Sequence, residues 1–246
     1  MDVANTATKW RVFKPKDEKH HYIVSADASG GKDGGNDAAS WVIDIETHEQ
    51  VAAFNETVEP KAFAIELVKK SREYNDAIVA VEAEKYGLIV ISELLAQEIN
   101  IYYHTMKSTG MRPTSATEFG WNPRYKEEAV TRMIVDFGYN NGKPLQKNAA
   151  LKIYDRDTLL QMSTFVRQKN KTGDGFKIGA AKKKKDDLVS AGYIGNYVWH
   201  EIKDWYTDVE EIETMTPREK YEEKLRADYL DATEESDFWT EEEDES

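Results

Sequence analysis

Apolar and polar positions along this chain follow two different periods, and the switches between them mark out its elements. HHYIVSAD (20–27) is a nearly unbroken apolar run rich in β-formers. It ends in the Gly-rich turn ASGGKDGGND, after which AASWVIDIE (38–46) resumes the same character. Runs of this kind, bounded by Gly and Asp/Asn clusters, predict two strands joined as a hairpin. QVAAFNETV (50–58) reads as a third strand. In KAFAIELVKKSREYN (61–75) the period changes, with Phe63, Ile65, Leu67 and Val68 recurring at roughly helical spacing. AIVAVEAE (77–84) returns to strand, GLIVISELLAQEI (87–99) to helix and NIYYHTM (100–106) to strand. Three strands, a helix, a strand, a helix and a strand predict an α/β fold with one central mixed sheet flanked by helices.

The second half is less regular. KSTGMRPTSATEFGWNPR (107–124) is rich in turn formers and predicts a loop or small hairpin. YKEEAVTRMIVDFGYNNG (125–142) is an amphipathic helix with a Gly-containing stop, ALKIYD (150–155) a short strand, and DTLLQMSTFVRQ (157–168) a helix. A basic loop, KNKTGDGFKIGAAKKKK (169–185), precedes a long helix in LVSAGYIGNYVWHEIKDWY (188–206). Thr216, Pro217 and Glu219 form a helix-start signal for PREKYEEKLRADYL, and TEESDFWTEEEDES predicts disorder. These segments divide the chain into an N-terminal linker (1–19), one α/β domain (20–206) and an acidic helix with a disordered tail (207–246).

Composition narrows the chemistry. Of 246 residues, 40% are hydrophobic, enough to bury one core. Cysteine is absent, which excludes disulfides and thiolate metal sites, so a metal must be held by oxygen or imidazole. No apolar run is long enough to span a bilayer and MDVANTATKW lacks the apolar core of a signal peptide, so an intracellular, soluble protein is expected. The net charge of −13 is unevenly spread, since residues 207–246 hold 17 of the 46 acids and 4 of the 33 bases. The remainder is neutral. Within it Arg167, Lys169, Lys171, Lys177 and Lys182 to Lys185 face one acid, Asp174, in a basic strip suited to phosphates. The tail either docks on a basic surface, masks that strip until assembly, or serves solubility.

The candidate chemistry is carboxylate. Asp27 closes the first strand just before the glycines, Glu82 closes AIVAV, and the adjacent Asp186 and Asp187 open the last helix. The blander readings are a turn residue, a solvated strand end and a helix N-cap pair. Taken together, three acids that an α/β sheet can bring to one edge have the layout of a divalent-metal nuclease. Asp37 is either an auxiliary acid at the same edge or a hairpin-turn residue. Lys182 to Lys185 and Arg167 are candidate phosphate contacts. Arg124, Trp121 and Tyr125 either touch DNA or anchor packing. GGKDGGND lacks the spacing of a phosphate-binding P-loop, and no such loop occurs elsewhere, so no ATP site is expected. His20, His21, His48, His104 and His200 show no ligand spacing and read as structural.

In that order, SADASGGKDGGNDAAS, IVAVEAEKYG and TFVRQKNKTGDGFKIGAAKKKKDDLVSAGYIGNY resemble the nuclease domain of the large terminase subunit of tailed bacteriophages over roughly residues 20 to 200. GWNPRYKEEAVTRM is similar to the family's segment before its third motif. The resemblance implies an RNase H-like fold, with Asp27, Glu82 and Asp187, helped by Asp186, holding one or two Mg²⁺ or Mn²⁺ ions. It implies an endonuclease that cuts concatemeric double-stranded viral DNA in the host cytoplasm, with the portal protein, the small terminase subunit and the ATPase part as partners. Two positions depart from the family pattern, Glu84 where an Asn is common and Lys185 where a His is. The family's ATPase motor is not in this chain, which is either an excised domain or separately encoded. Alternatives on the same fold are a Holliday-junction resolvase, an RNase H-type hydrolase, or a non-catalytic DNA-binding assembly module.

Overall fold

The computed structural model describes residues 9–31, 35–103, 118–140, 143–144, 149–169 and 176–206, together with Tyr221. Its centre is a five-stranded sheet of β1 (Arg11–Val12), β2 (Tyr22–Asp27), β3 (Ala38–Asp44), β4 (Glu49–Glu56) and β5 (Ile78–Val81). The strand order is β1-β4-β3-β2-β5, antiparallel throughout except that β5 runs parallel to β2. The α/β expectation of a mixed sheet flanked by helices therefore holds. All seven residues of β3 are buried, as befits a central strand covered on both faces.

Alternation along the strands assigns the two faces. Phe54 stacks on Phe63 of α1 (Pro60–Glu73), whereas Trp41 meets α5 (Asp187–Ile202) on the other side. Pro60 at the first helical position of α1 and Lys70 and Arg72 in its last turn suit the helix polarity. Helix α5 lies so close to the sheet that a Cβ on Gly192 would stand 2.7 Å from the Trp41 ring, and one on Gly195 would stand 2.6 Å from Ser25 Oγ. Two glycines in a helix interior cost stability, and here they admit the sheet. This close seat carries the start of α5 over the end of β2.

Elsewhere the order is α2 (Tyr86–Ala96), α3 (Lys126–Asp136), a small hairpin of β6 (Tyr139–Asn140) and β7 (Lys143–Pro144), and α4 (Arg156–Ser163). A second hairpin, β8 (Phe165–Lys169) and β9 (Phe176–Ala180), precedes α5. This hairpin stands where a helix and a loop are expected. The helix expected over 157–168 stops at Ser163, and the supposed basic loop contains a strand. FVRQK and FKIGA alternate too briefly to outweigh the helical spacing before them, and only their mutual pairing makes them strands. Of the strand expected at 100–106, the described residues 100–103 carry single bridges at Ile101 and Tyr103 and the rest lies outside the described residues, while 150–155 is reduced to one bridge at Lys152.

Residues 10–13 also differ from the linker expected there. Trp10 is buried on Phe54, and Arg11 and Val12 form the edge strand. Arg11 reaches Asp155 through two nitrogens, at 2.9 and 2.8 Å. The helix signal at Thr216 and the disorder expected for the tail lie outside the described residues. Tyr221 alone is described there: it is helical and buried, and its ring packs on Tyr103 and Trp205.

Candidate active site

The parallel pairing of β2 with β5 sets Ala26 against Val81, so one step further the two strands end side by side on Asp27 and Glu82. Their backbones remain joined, with the Glu82 amide donating to the Ala26 carbonyl at 3.1 Å. Asp187 arrives from the other direction, in the first turn of α5, and is 2% exposed. Asp37 sits where β3 begins, and its amide donates to Asp187 Oδ2 at 3.3 Å. The structure thus gathers Asp27, Glu82, Asp186, Asp187 and Asp37 around one cleft of about 770 Å³.

Electrostatics mark Asp27, Glu82 and Asp187 as costly to ionise. Asp27 is half-buried and lines the cleft. Burial first, then the neighbouring Glu82 and Asp187, push its carboxyl well above the ordinary range, against the Ser190 hydroxyl, which donates to it, and the Lys126 charge. Burial also raises Glu82, while Lys126 and a hydrogen bond shared with Asp27 pull it down. Burial raises Asp187 to about 6 despite the hydrogen bond from the Asp37 amide. Acids held this way favour a proton or a cation in their midst.

Asp37 behaves differently. Burial raises its carboxyl too, but Lys185 at 2.6 Å, Thr57 at 2.8 Å and Asn55 at 3.3 Å outweigh that and hold it below its usual range. Its carboxylate is therefore fully engaged, and its amide is what addresses the cleft. Asp186 points to the β8–β9 hairpin, accepting from the Ala180 amide at 3.0 Å. Asp186 is the N-cap residue of α5 and Asp187 lies in its first turn, as the capping reading places them, but the Asp186 side chain makes no cap hydrogen bond.

The basic candidates separate in the same way. Lys182, Lys183 and Lys184 are exposed and line the cleft. Lys185 is taken by Asp37. Arg167 is exposed on β8 and Arg124 lies over the Tyr125 ring with its centre 4.6 Å away, and neither lines the cleft. Trp121 is fully buried, which decides its alternative in favour of packing. Three cleft residues carried no signal in the sequence. Ser190 stands one turn after Asp187, Lys126 opens α3, and Tyr193 lies under Lys126 with a phenol that burial raises. Only knowledge that α5 faces the cleft singles out the spacing of Asp187, Ser190 and Tyr193.

No protein-family model and no curated protein matches this sequence. Solved structures do. The large terminase nuclease from thermophilic phage G20c, with bound magnesium, superposes with a TM-score of 0.59 at 17% identity, over 78% of this chain and 89% of that one. The same nuclease with bound cobalt gives 0.58 at 16% identity, over 78% and 89%. The large terminase nuclease domain of Thermus phage P74-26 gives 0.56 at 17% identity, over 77% and 85%. This chain shares their RNase H-like fold, as the sequence resemblance implied. Among the described residues, no helix is long and apolar enough to cross a membrane.

Proposed function

We propose that this chain is a metal-dependent endonuclease of the terminase type, cutting concatemeric double-stranded DNA during viral genome packaging. The observation that carries the reading is the convergence of Asp27, Glu82 and Asp187, from two strand ends and a helix start, in a cleft edged by Lys182, Lys183 and Lys184. The donor set fits a hard divalent cation, being all carboxylate oxygen on side chains whose ionised forms need positive charge beside them. Asp27, Glu82 and Asp187, with Asp186 beside them, would hold one or two Mg²⁺ or Mn²⁺ ions. Bound there, such ions supply an activated water and stabilise the leaving oxygen of a phosphodiester.

The chain's own groups do the rest. Lys182 to Lys184 attract the DNA backbone by charge and set its approach. Lys126, close enough to lower both Asp27 and Glu82, orients a phosphate oxygen above them. Ser190 fixes the Asp27 carboxylate, and Asp37, anchored by Lys185, presents its amide to Asp187. On this reading the chain would work with a portal protein, a small terminase subunit and an ATPase part in the host cytoplasm.

Nicking of a supercoiled plasmid in Mg²⁺, Mn²⁺ or EDTA tests this reading. Cleavage is expected to need the metal and to fall about 100-fold or more in Asp27→Ala and Asp187→Ala. Asp186→Asn is expected to lose less than about tenfold, because an amide oxygen still accepts from Ala180. Near-normal cleavage in Asp187→Ala removes that residue from the chemistry. DNA binding without nicking at every metal tried points to an assembly module, and preference for a four-way junction or an RNA:DNA hybrid reassigns the substrate.

A further inference from the structure

Five titratable side chains crowd the end of the sheet opposite the cleft. There β2 begins and β3 ends, with Tyr22 and Asp44 as register partners. The His20 ring places Nδ1 2.7 Å from Asp44 Oδ2 and Nε2 4.0 Å from Asp17 Oδ2. The His21 Nδ1 lies 2.6 Å from Glu46 Oε1. His20, Asp44 and Glu46 each bring one donor atom within 4.8 Å of the other two.

The backbone aims both acids. The Thr47 amide donates to Asp44 Oδ1 at 2.9 Å, and the His21 amide donates to Glu46 Oε2 at 2.9 Å. Outer hydrogen bonds of this kind orient the carboxylates of metal sites. Asp44 is 5% exposed, so its charge is shielded from water. Three carboxylates, of Asp17, Asp44 and Glu46, stand around two imidazoles.

We propose that His20, Asp44 and Glu46 form a second cation site, one that takes a nitrogen-preferring divalent metal such as Zn²⁺. The donor set decides the class: one imidazole nitrogen and two carboxylate oxygens suit zinc-like ions, whereas the cleft offers oxygen alone. His21 and Asp17 stand next to the trio as further ligands or partners. Five residue steps along β2, from Tyr22 to Asp27, separate the two places by about 17 Å. The site therefore stands apart from the cleft, and from the proposed nuclease activity. A cation held there ties the start of β2 to the turn between β3 and β4.

The test uses the full chain carrying Asp27→Ala and Asp187→Ala, which disarms the cleft. Zn²⁺ is titrated calorimetrically, and Co²⁺ serves as a spectroscopic probe of nitrogen ligation. One equivalent of Zn²⁺ is expected to bind in the presence of excess Mg²⁺ and to raise the melting temperature. Glu46→Gln is expected to weaken binding about tenfold or more, and His20→Gln to remove it together with the Co²⁺ visible band. Near-UV circular dichroism checks that each variant is folded, and Glu46→Gln, at a partly exposed side chain, provides the reading if His20→Gln is not. Absence of Zn²⁺ binding, or binding unchanged in Glu46→Gln and in folded His20→Gln, overturns the proposal and leaves a His–carboxylate hydrogen-bond cluster.

Discussion

The backbone of Trp121 brackets Glu82. The Trp121 amide donates to the Val81 carbonyl at 2.8 Å and its carbonyl accepts from the Ala83 amide at 2.8 Å, so the residues on either side of the acid are pinned to one partner. Gly120 makes this approach possible. Its φ is +90°, and a Cβ there would stand 2.6 Å from the Val81 carbonyl oxygen. Gly120→Ala should cost about 1–3 kcal/mol, from the left-handed backbone and the displaced strand end. Because small misplacements of reacting groups are expensive, nicking should fall about tenfold to a hundredfold. Urea unfolding and plasmid nicking measure the two effects, and an unchanged protein would show that the bracket does not hold Glu82 in place.

Gly192 makes a second prediction with an unusual sign. Gly→Ala in a helix interior ordinarily stabilises by about 1 kcal/mol. At Gly192 the new methyl would meet the Trp41 ring at 2.7 Å, and Trp41 is fully buried in the central strand with little room to yield. Overpacking of this kind costs about 1–3 kcal/mol. Gly192→Ala should therefore lower the urea midpoint, and by lifting α5 should weaken cleavage as well. A stabilised variant would mean that α5 does not lie as close to the sheet as described.

The acids also predict how stability depends on pH. Asp187 titrates near 3.8 when unfolded and at about 6 when folded, so between those values the folded chain holds a proton that the unfolded chain has lost. Its contribution favours folding at low pH and is lost as pH rises through 6, a change of about 3 kcal/mol. His48 acts in the opposite sense. Burial lowers it from 6.5 to about 4, so its contribution is present above 6.5 and fades as pH falls toward 4. The Asp187 part is isolated by comparing Asp187→Asn with the parent chain in EDTA. The variant should gain about 6–12 °C in melting temperature at pH 7.5 and much less at pH 4.5. Mg²⁺ should raise the parent at pH 7.5 and close the gap. An equal gap at both pH values would contradict the raised titration.

The lysines of the 182–185 run are expected to divide three to one. Lys182, Lys183 and Lys184 are exposed at the cleft, whereas Lys185 pairs with Asp37. Replacing the first three by Ala should lower the slope of log affinity against log salt by about 2–3, at roughly 0.9 per phosphate contact. Lys185→Ala should change that slope little and instead slow cleavage, since Asp37 loses the partner that anchors it beside Asp187. Binding isotherms at several salt concentrations, alongside nicking rates, separate the two. Equal slope changes for all four positions would make the run a uniform charged patch.

Periodicity in the sequence determined β2 to β5, α1, α2 and α5, because each has a continuous apolar run or a helical stripe longer than its flanking turns. It also determined that Asp27, Glu82 and Asp187 close or open elements, where an acid can reach both sheet and solvent. Pairing across the chain decided the rest. The hairpin of β8 and β9 exists because two short segments satisfy each other's backbone, which no local spacing encodes. The parallel register of β2 with β5 sets Asp27 beside Glu82, and two glycines let α5 bring Asp187 and Ser190 to them. Asp37 and Lys185, far apart in the chain, become partners only across the cleft. His20, with no ligand spacing in the sequence, meets Asp44 and Glu46 because the β2–β3 register folds them together. Local patterns encode which residues a strand or helix presents, whereas long-range contacts decide which of those residues meet. A site assembled from distant segments is therefore specified by the fold.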